Sequence, residues 1–173
     1  MKIFGMVGRS GSGKTTLLKM LLPELIGRGF RVSTMKHTHH SVDLDIPGKD
    51  SYEHRKAGAQ EVLITSSTRW ALMHELRDEP EPDMDELIAR MTPVDLLLIE
   101  GFKRHRHDKM EINRGAPGKP LICNDDKTIV AISSDQPLAG LGIPLIDLNN
   151  PVAIADFIVV HCQLEKGQAH GPA

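Results

Sequence analysis

Residues 2–16 decide the fold: Lys2-Ile3-Phe4-Gly5-Met6-Val7-Gly8-Arg9-Ser10-Gly11-Ser12-Gly13-Lys14-Thr15-Thr16. After Lys2 comes a short apolar run that stops at Gly8, the pattern of a strand buried in a sheet. From Lys14 onward Leu17, Leu18, Leu21, Leu22, Leu25 and Ile26 recur at helical spacing, and Gly27 and Gly29 are stop signals. Between strand and helix, residues 8–15 match G-x-x-x-x-G-K-[ST] in full. Glycines at Gly8, Gly11 and Gly13 let the backbone come close to a phosphate group. Successive N–H groups then form a concave anion nest at the positive end of the helix dipole. Lys14 supplies a point charge for β- and γ-phosphates, and the Thr15 hydroxyl is a ligand for Mg²⁺. A strand before the motif and an amphipathic helix after it are the context that this mechanism requires.

Working outward, residues 30–35 read as a second strand and residues 37–49 as a polar connection containing Pro47 and Gly48. Asp50 or Ser51 is placed to cap a helix running to Ala59. Residues 61–65 and 69–76 are strand-like around a turn at 66–68, which predicts a hairpin. Met84, Leu87, Ile88 and Met91 mark a short helix. Residues 94–99, Val-Asp-Leu-Leu-Leu-Ile, are nearly continuous in apolar character, as expected of a strand buried on both faces of a parallel sheet. Further strands are expected at 110–113, 128–133 and 143–146, and a closing helix at 151–160 with Pro151 in its first turn. Strands alternating with helices predict an α/β fold, a three-layer sandwich with a mostly parallel sheet and an added hairpin. One domain is expected over residues 1–162, followed by a flexible polar tail over 163–173.

The chain has 173 residues, enough for a substantial core. Aromatic residues make up only 3%, so Leu, Ile, Val and Met must fill that core. A net charge of −2 is no electrostatic footprint for nucleic acid. The apolar run after Lys2 is too short for a secretory signal, and no stretch is long enough to span a membrane. Cys123 and Cys162 are far apart and lack metal-ligand spacing. A reduced, cytoplasmic protein is the expectation.

A phosphate-loop site needs an acid at the end of a neighbouring buried strand. Glu100 stands at the exit of the 94–99 strand, on the edge where parallel strands converge on a ligand, and is expected in the magnesium shell with Thr15. Gly101 follows it, close enough in sequence to offer its N–H to a γ-phosphate. Lys36, His37, His39 and His40 leave the second strand on the same edge. They read as contacts to an anionic ligand or as a solvated loop; a divalent metal bound with Asp43 and Asp45 is a weaker reading. The Pro47-Gly48-Lys49-Asp50-Ser51 segment reads as switch-like, with Asp50 either an N-cap or a catalytic group. The basic run 103–109 leaves the Glu100 edge and reads either as a clamp on a phosphate-bearing partner or as a solvated loop.

These blocks together resemble one family. GRSGSGKTTLLKMLLPEL, MKHTHHSVDLDIPGKDSYEHRKAGA, RWALM, DLLLIEGFK and VAISSD are similar to the molybdopterin-guanine dinucleotide biosynthesis protein B family, over roughly residues 1 to 160. The resemblance implies a GTP-binding protein with Mg²⁺, weak GTPase activity and a homodimeric state. It also implies an adapter role beside a molybdopterin guanylyltransferase, with molybdopterin a further candidate ligand. Carried over residue by residue, Gly11, Ser12, Gly13, Lys14, Thr15 and Thr16 would hold phosphates, with Gly8 and Ser10 of the same loop also binding the nucleotide, and the Lys36-to-His40 and Gly48-to-Ser51 segments, Lys36 and His37 among them, would line the same cleft. Lys14, with Asp50 or His37 orienting water, would serve the slow hydrolysis. The guanine-reading N-K-x-D pattern of many GTPases is absent; Asn124-Asp125-Asp126-Lys127 does not match it. Ser133, Ser134 and Asp135 are the candidates for base contact, with Asp135 accepting from the guanine. Read from residues alone, a small-molecule kinase is the competing function.

Overall fold

The structure is a computed structural model that describes residues 1–38, 42–103, 105–115 and 119–165. His39, His40, Arg104 and residues 166–173 of the expected tail lie outside the described residues. The chain's contacts cluster into two compact units, one formed by Met1–His37 with the segment from Thr92 onward, the other by Thr38–Met91.

The first unit contains strands β1 (Lys2–Val7) and β2 (Val32–Lys36) joined by helix α1 (Lys14–Gly27). Numbering the remaining elements in chain order, it continues with β5 (Leu96–Glu100), β6 (Lys109–Asn113), β7 (Ile129–Ser134), β8 (Leu145–Asp147) and helix α4 (Pro151–His161). The sheet order is β2-β5-β1-β6-β7-β8, and every neighbouring pair is parallel. Side chains alternate across the pleat. Phe4, Met6, Leu96, Leu98, Met110 and Ile112 point to one face, where Leu17, Leu21 and Leu25 of α1 and Ile154, Ala155 and Ile158 of α4 close the core. At about 25 cal/mol per Å² of apolar surface removed from water, this face dominates stabilisation of the unit.

On the other face, loop segments pack around Gly5, Lys109 and Glu111. Lys109, only 1% exposed, turns its Nζ onto the His105 carbonyl at 2.6 Å, the Thr128 hydroxyl at 2.6 Å and Asp126 at 3.4 Å. Buried Glu111 accepts the backbone N–H groups of Ile122 and Cys123, both at 2.9 Å, at a short 3-10 turn spanning Ile122–Asn124. A buried charge is tolerable only when so paired. Gly5 is there because of this layer: a Cβ on it would lie 2.8 Å from both His107 Cδ2 and Lys109 Cγ. Within the basic run Lys109 is buried and His107 packs against Gly5, while Lys103, Arg106 and Asp108 are exposed.

Element ends differ from expectation by a few residues, for local reasons. β2 starts at Val32 because the Phe30 N–H returns to the Leu25 carbonyl and its ring enters the core. β5 starts at Leu96 because Asp95 turns its carboxylate to the Arg31 N–H at 2.7 Å and guanidinium at 3.1 Å.

The second unit holds helix α2 (Asp50–Lys56), the antiparallel hairpin β3 (Glu61–Thr65) and β4 (Trp70–His74), and helix α3 (Met84–Ala89). Lys49, not Asp50 or Ser51, is the N-cap of α2, and no side chain caps it. Asp50 occupies the first turn, where its charge favours the dipole. The helix stops before Ala59 because Gly58 takes φ 114°. Arg55 draws the unit together, reaching Asp43 at 2.8 Å, Asp45 at 2.7 Å and Glu75 at 3.3 Å. The capping box at Asp83 and Glu86 starts α3.

Candidate functional site

The turn at residues 8–13 joins β1 to α1 as the motif predicts. Gly11 and Gly13 take φ 76° and 89°, a left-handed region that favours glycine. Gly8 is required for a different reason: a Cβ would stand 2.5 Å from the Ile112 carbonyl oxygen and 2.6 Å from Ser12 Oγ. The turn faces an open cavity of about 390 Å³ lined by Ser10, Gly11, Gly13, Lys14, Thr15, Thr16 and Glu100.

Lys14 Nζ folds back to donate to the carbonyls of Gly8 at 3.1 Å and Arg9 at 3.0 Å. Burial lowers its pKa below the ordinary lysine value, Glu100 opposes that, and Lys103 and Lys36 add to the lowering. Lys36 and Lys103 thus stand close enough to act on Lys14, and positive charge near the cavity favours an anion.

Glu100 ends β5 beside β1, buried, and the Thr15 hydroxyl donates to its carboxylate at 3.5 Å. A hydroxyl and a carboxylate are hard oxygen donors. Their separation is a few tenths above the roughly 3 Å between adjacent ligands of octahedral Mg²⁺. The donor set suits that ion.

Lys36 pairs with Glu100 in the register of β2 on β5, and the His37 N–H donates to the Glu100 carbonyl at 2.9 Å. The two predicted residues therefore stand beside the acid. Gly101, φ 102°, accommodates His37: a Cβ there would lie 2.9 Å from the His37 carbonyl oxygen. Phe102 follows with φ 46°, buried, its ring 4.6 Å from His37 and 5.1 Å from His105. Two successive left-handed residues, one of them aromatic, are a strained link. The Phe102 ring meets His37 in a tilted contact, 43° between planes.

Asp135 follows β7 on the same edge of the sheet, its Oδ1 accepting the Gly115 N–H at 2.9 Å. It does not line the phosphate cavity. Ser133 is fully buried with its Oγ unpartnered, and Ser134 Oγ accepts from the Gln136 N–H. Asp126 accepts from Thr128 and Lys109, so the Asn124–Lys127 stretch is structural. Asp43 and Asp45 both pair with Arg55, and the His39 and His40 of the metal reading lie outside the described residues. Asp50 stands on α2 in the second unit.

Sequence reasoning missed Arg114. Its guanidinium lies against the phosphate loop, with Nε 3.1 Å from the position of a Cβ on Gly13. The available signal was a basic residue one step past the end of a strand neighbouring β1.

The model of the family described as MobB, molybdopterin guanine dinucleotide synthesis protein B, matches residues 3–135. The chain belongs to the MobB family. It is 47% identical over 161 residues to the molybdopterin-guanine dinucleotide biosynthesis adapter protein of Escherichia coli, covering 91% of both chains. With the adapter protein of Haemophilus influenzae it shares 41% identity over 159 residues, covering 90% of this chain and 86% of that one. The crystal structure of Bacillus subtilis MobB superposes with a TM-score of 0.74 at 26% identity, covering 96% of this chain and all of that one. The MobB match takes in the phosphate loop, Glu100, Arg114 and Asp135 together. Among the described residues no helix is long and apolar enough to cross a membrane.

Proposed function

We propose that this protein binds GTP with Mg²⁺ and works as an adapter in the biosynthesis of molybdopterin guanine dinucleotide. The observation that carries the nucleotide part is the meeting of Thr15 and Glu100 at the mouth of the Lys14 cavity. The N–H groups of the loop cradle the phosphates, and Lys14 leaves its carbonyl partners to pair with the β- and γ-phosphate oxygens. Thr15 ligates the ion and Glu100 holds it, directly or through a water. The bound Mg²⁺ supplies charge neutralisation between the β- and γ-phosphates.

Of the residues lining the cavity, Glu100 alone carries a carboxylate, and the ion uses it. Hydrolysis that lacks a dedicated base is slow, which suits a GTPase whose product is a bound state rather than turnover. The adapter part rests on the relatives, which carry that role in their names. Its partner is a guanylyltransferase that joins GMP to molybdopterin, and the cytoplasm is where both would meet.

Lys14→Ala tests the reading. The variant keeps its fold by circular dichroism and loses GTP·Mg²⁺ affinity by at least about 100-fold, the loss of a charged hydrogen-bonding partner in a partly buried site. Parent-like affinity in that variant would overturn the phosphate-loop assignment. Capture of a guanylyltransferase by the parent, measured with and without GTP, tests the adapter role.

A further inference from the structure

We infer that Arg114 and Asp135 form the pair that reads the guanine base; this rests on the GTP reading above. Across the middle of the sheet the strands run β5, β1, β6, β7, all parallel, so their C-terminal ends form one edge. Glu100 ends β5, the phosphate loop follows β1, Arg114 follows β6 and Asp135 follows β7. Thr15 and Glu100 would hold the Mg²⁺ that neutralises the terminal phosphates, so the γ end of a bound triphosphate would lie toward β5. The nucleoside then extends the other way, across β6 and β7. Three strand spacings separate β5 from β7, about 14 Å, the length scale of a nucleotide. The base arrives at Arg114 and Asp135.

The register places the two residues at the ends of adjacent strands. Asn113 pairs with Ser134, so the next residue on each strand is Arg114 and Asp135. Arg114 packs against Gly13 outside the phosphate cavity, and among the described residues it has no hydrogen-bond or ion-pair partner. Asp135 spends Oδ1 on the Gly115 N–H and keeps Oδ2 for another donor. The Arg114 guanidinium lies at Gly13 and the Asp135 carboxylate at Gly115, and among the described residues the two charges are not paired with each other.

Guanine matches that pair. Its O6 and N7 are two acceptors in the geometry of a guanidinium fork. Its N1–H and 2-amino group are donors for a carboxylate. Adenine keeps the N7 acceptor but sets an amino group in place of O6 against Arg114, and an N1 lone pair and a C2–H in place of the two donors against Asp135. A site built on such contacts rejects the wrong base because its own polar groups are left unpaired.

Calorimetric titration of GTP, ATP and 7-deaza-GTP with Mg²⁺ into the parent, Arg114→Ala and Asp135→Asn decides the matter. The parent prefers GTP to ATP. Arg114→Ala weakens GTP about 10- to 100-fold and changes ATP by less than about 3-fold, the loss of one bidentate base contact. 7-Deaza-GTP, which lacks N7, binds the parent more weakly than GTP but binds Arg114→Ala no more weakly than GTP does. Asp135→Asn narrows the GTP-over-ATP ratio. Equal loss of GTP and ATP in Arg114→Ala would make it a phosphate contact and overturn the proposal, as would parent-like GTP affinity in that variant. Failure of the phosphate-loop reading looks different: the parent binds neither triphosphate and Lys14→Ala changes nothing.

Discussion

Glu100 shows how one residue acquires a role from its neighbours. Its carboxylate is buried, beside Lys14 and within 3.5 Å of the Thr15 hydroxyl. Burying an acid is costly unless cations and donors surround it. Lys14 offsets that cost here, and Mg²⁺ would offset it further. Glu100→Gln keeps the hydrogen bond to Thr15 and removes the charge. Magnesium-dependent GTP affinity is expected to fall about 10- to 100-fold in that variant, while binding in EDTA stays at the parent level. Equal affinities with and without Mg²⁺ in the parent would assign Glu100 a structural role alone. At this scale the sequence was highly legible. The Gly8, Gly11, Gly13, Lys14 and Thr15 types follow from phosphate chemistry, and the last position of an apolar strand singled out Glu100. Arg114 was hidden because a lone surface arginine has no local pattern.

The loop from Phe102 to Asp108 is the element that sequence composition misrepresents. Its charges suggest solvent, yet His107 and the stem of Lys109 cover Gly5 beneath the sheet. Burial drives the His107 pKa down to about 4, with Lys109 and His105 adding to the shift and Asp126 opposing it. In the unfolded chain the imidazole takes up its proton near pH 6.5. Between pH 6.5 and 4 the unfolded state therefore binds more protons, and stability falls as pH falls. The contribution is fully present above pH 6.5 and is lost as pH drops through about 4. His107→Leu removes this titration and preserves the cover on Gly5. Thermal melts from pH 7 to 4 should show a flatter decline for the variant than for the parent. Parallel declines would mean that His107 is not among the groups responsible. The hairpin is a second case: the alternation of Glu61–Thr65 and Trp70–His74 was readable, because strand periodicity is local.

For the whole molecule, the hairpin poses a question of assembly. Leu63 pairs with Leu72 and Thr65 with Trp70, so these side chains share one face. Leu63 is 63% exposed, Trp70 67% and Leu72 49%. An apolar face of that kind marks an interaction surface, and the homodimer expectation makes a second copy of the chain the occupant to test. Sedimentation equilibrium should find a dimer for the parent and a monomer for the Trp70→Glu, Leu72→Glu double variant with its helix and strand content intact. A monomeric parent would overturn the homodimer expectation.

By itself the sequence determined the phosphate loop, the strand before it, the helix after it and the parallel α/β architecture. Each of these is written in spacing over fewer than twenty residues, within reach of hydrophobic period and backbone chemistry. The tertiary structure alone decided which distant groups meet. Thr15 and Glu100 are 85 residues apart in the chain and touch because β5 lies beside β1. Arg114 reaches Gly13, and Asp135 stands beside Arg114, because β6 and β7 extend the sheet on the other side. Strand order is set by how whole faces bury against α1 and α4, a global balance of apolar area that no short window of sequence contains.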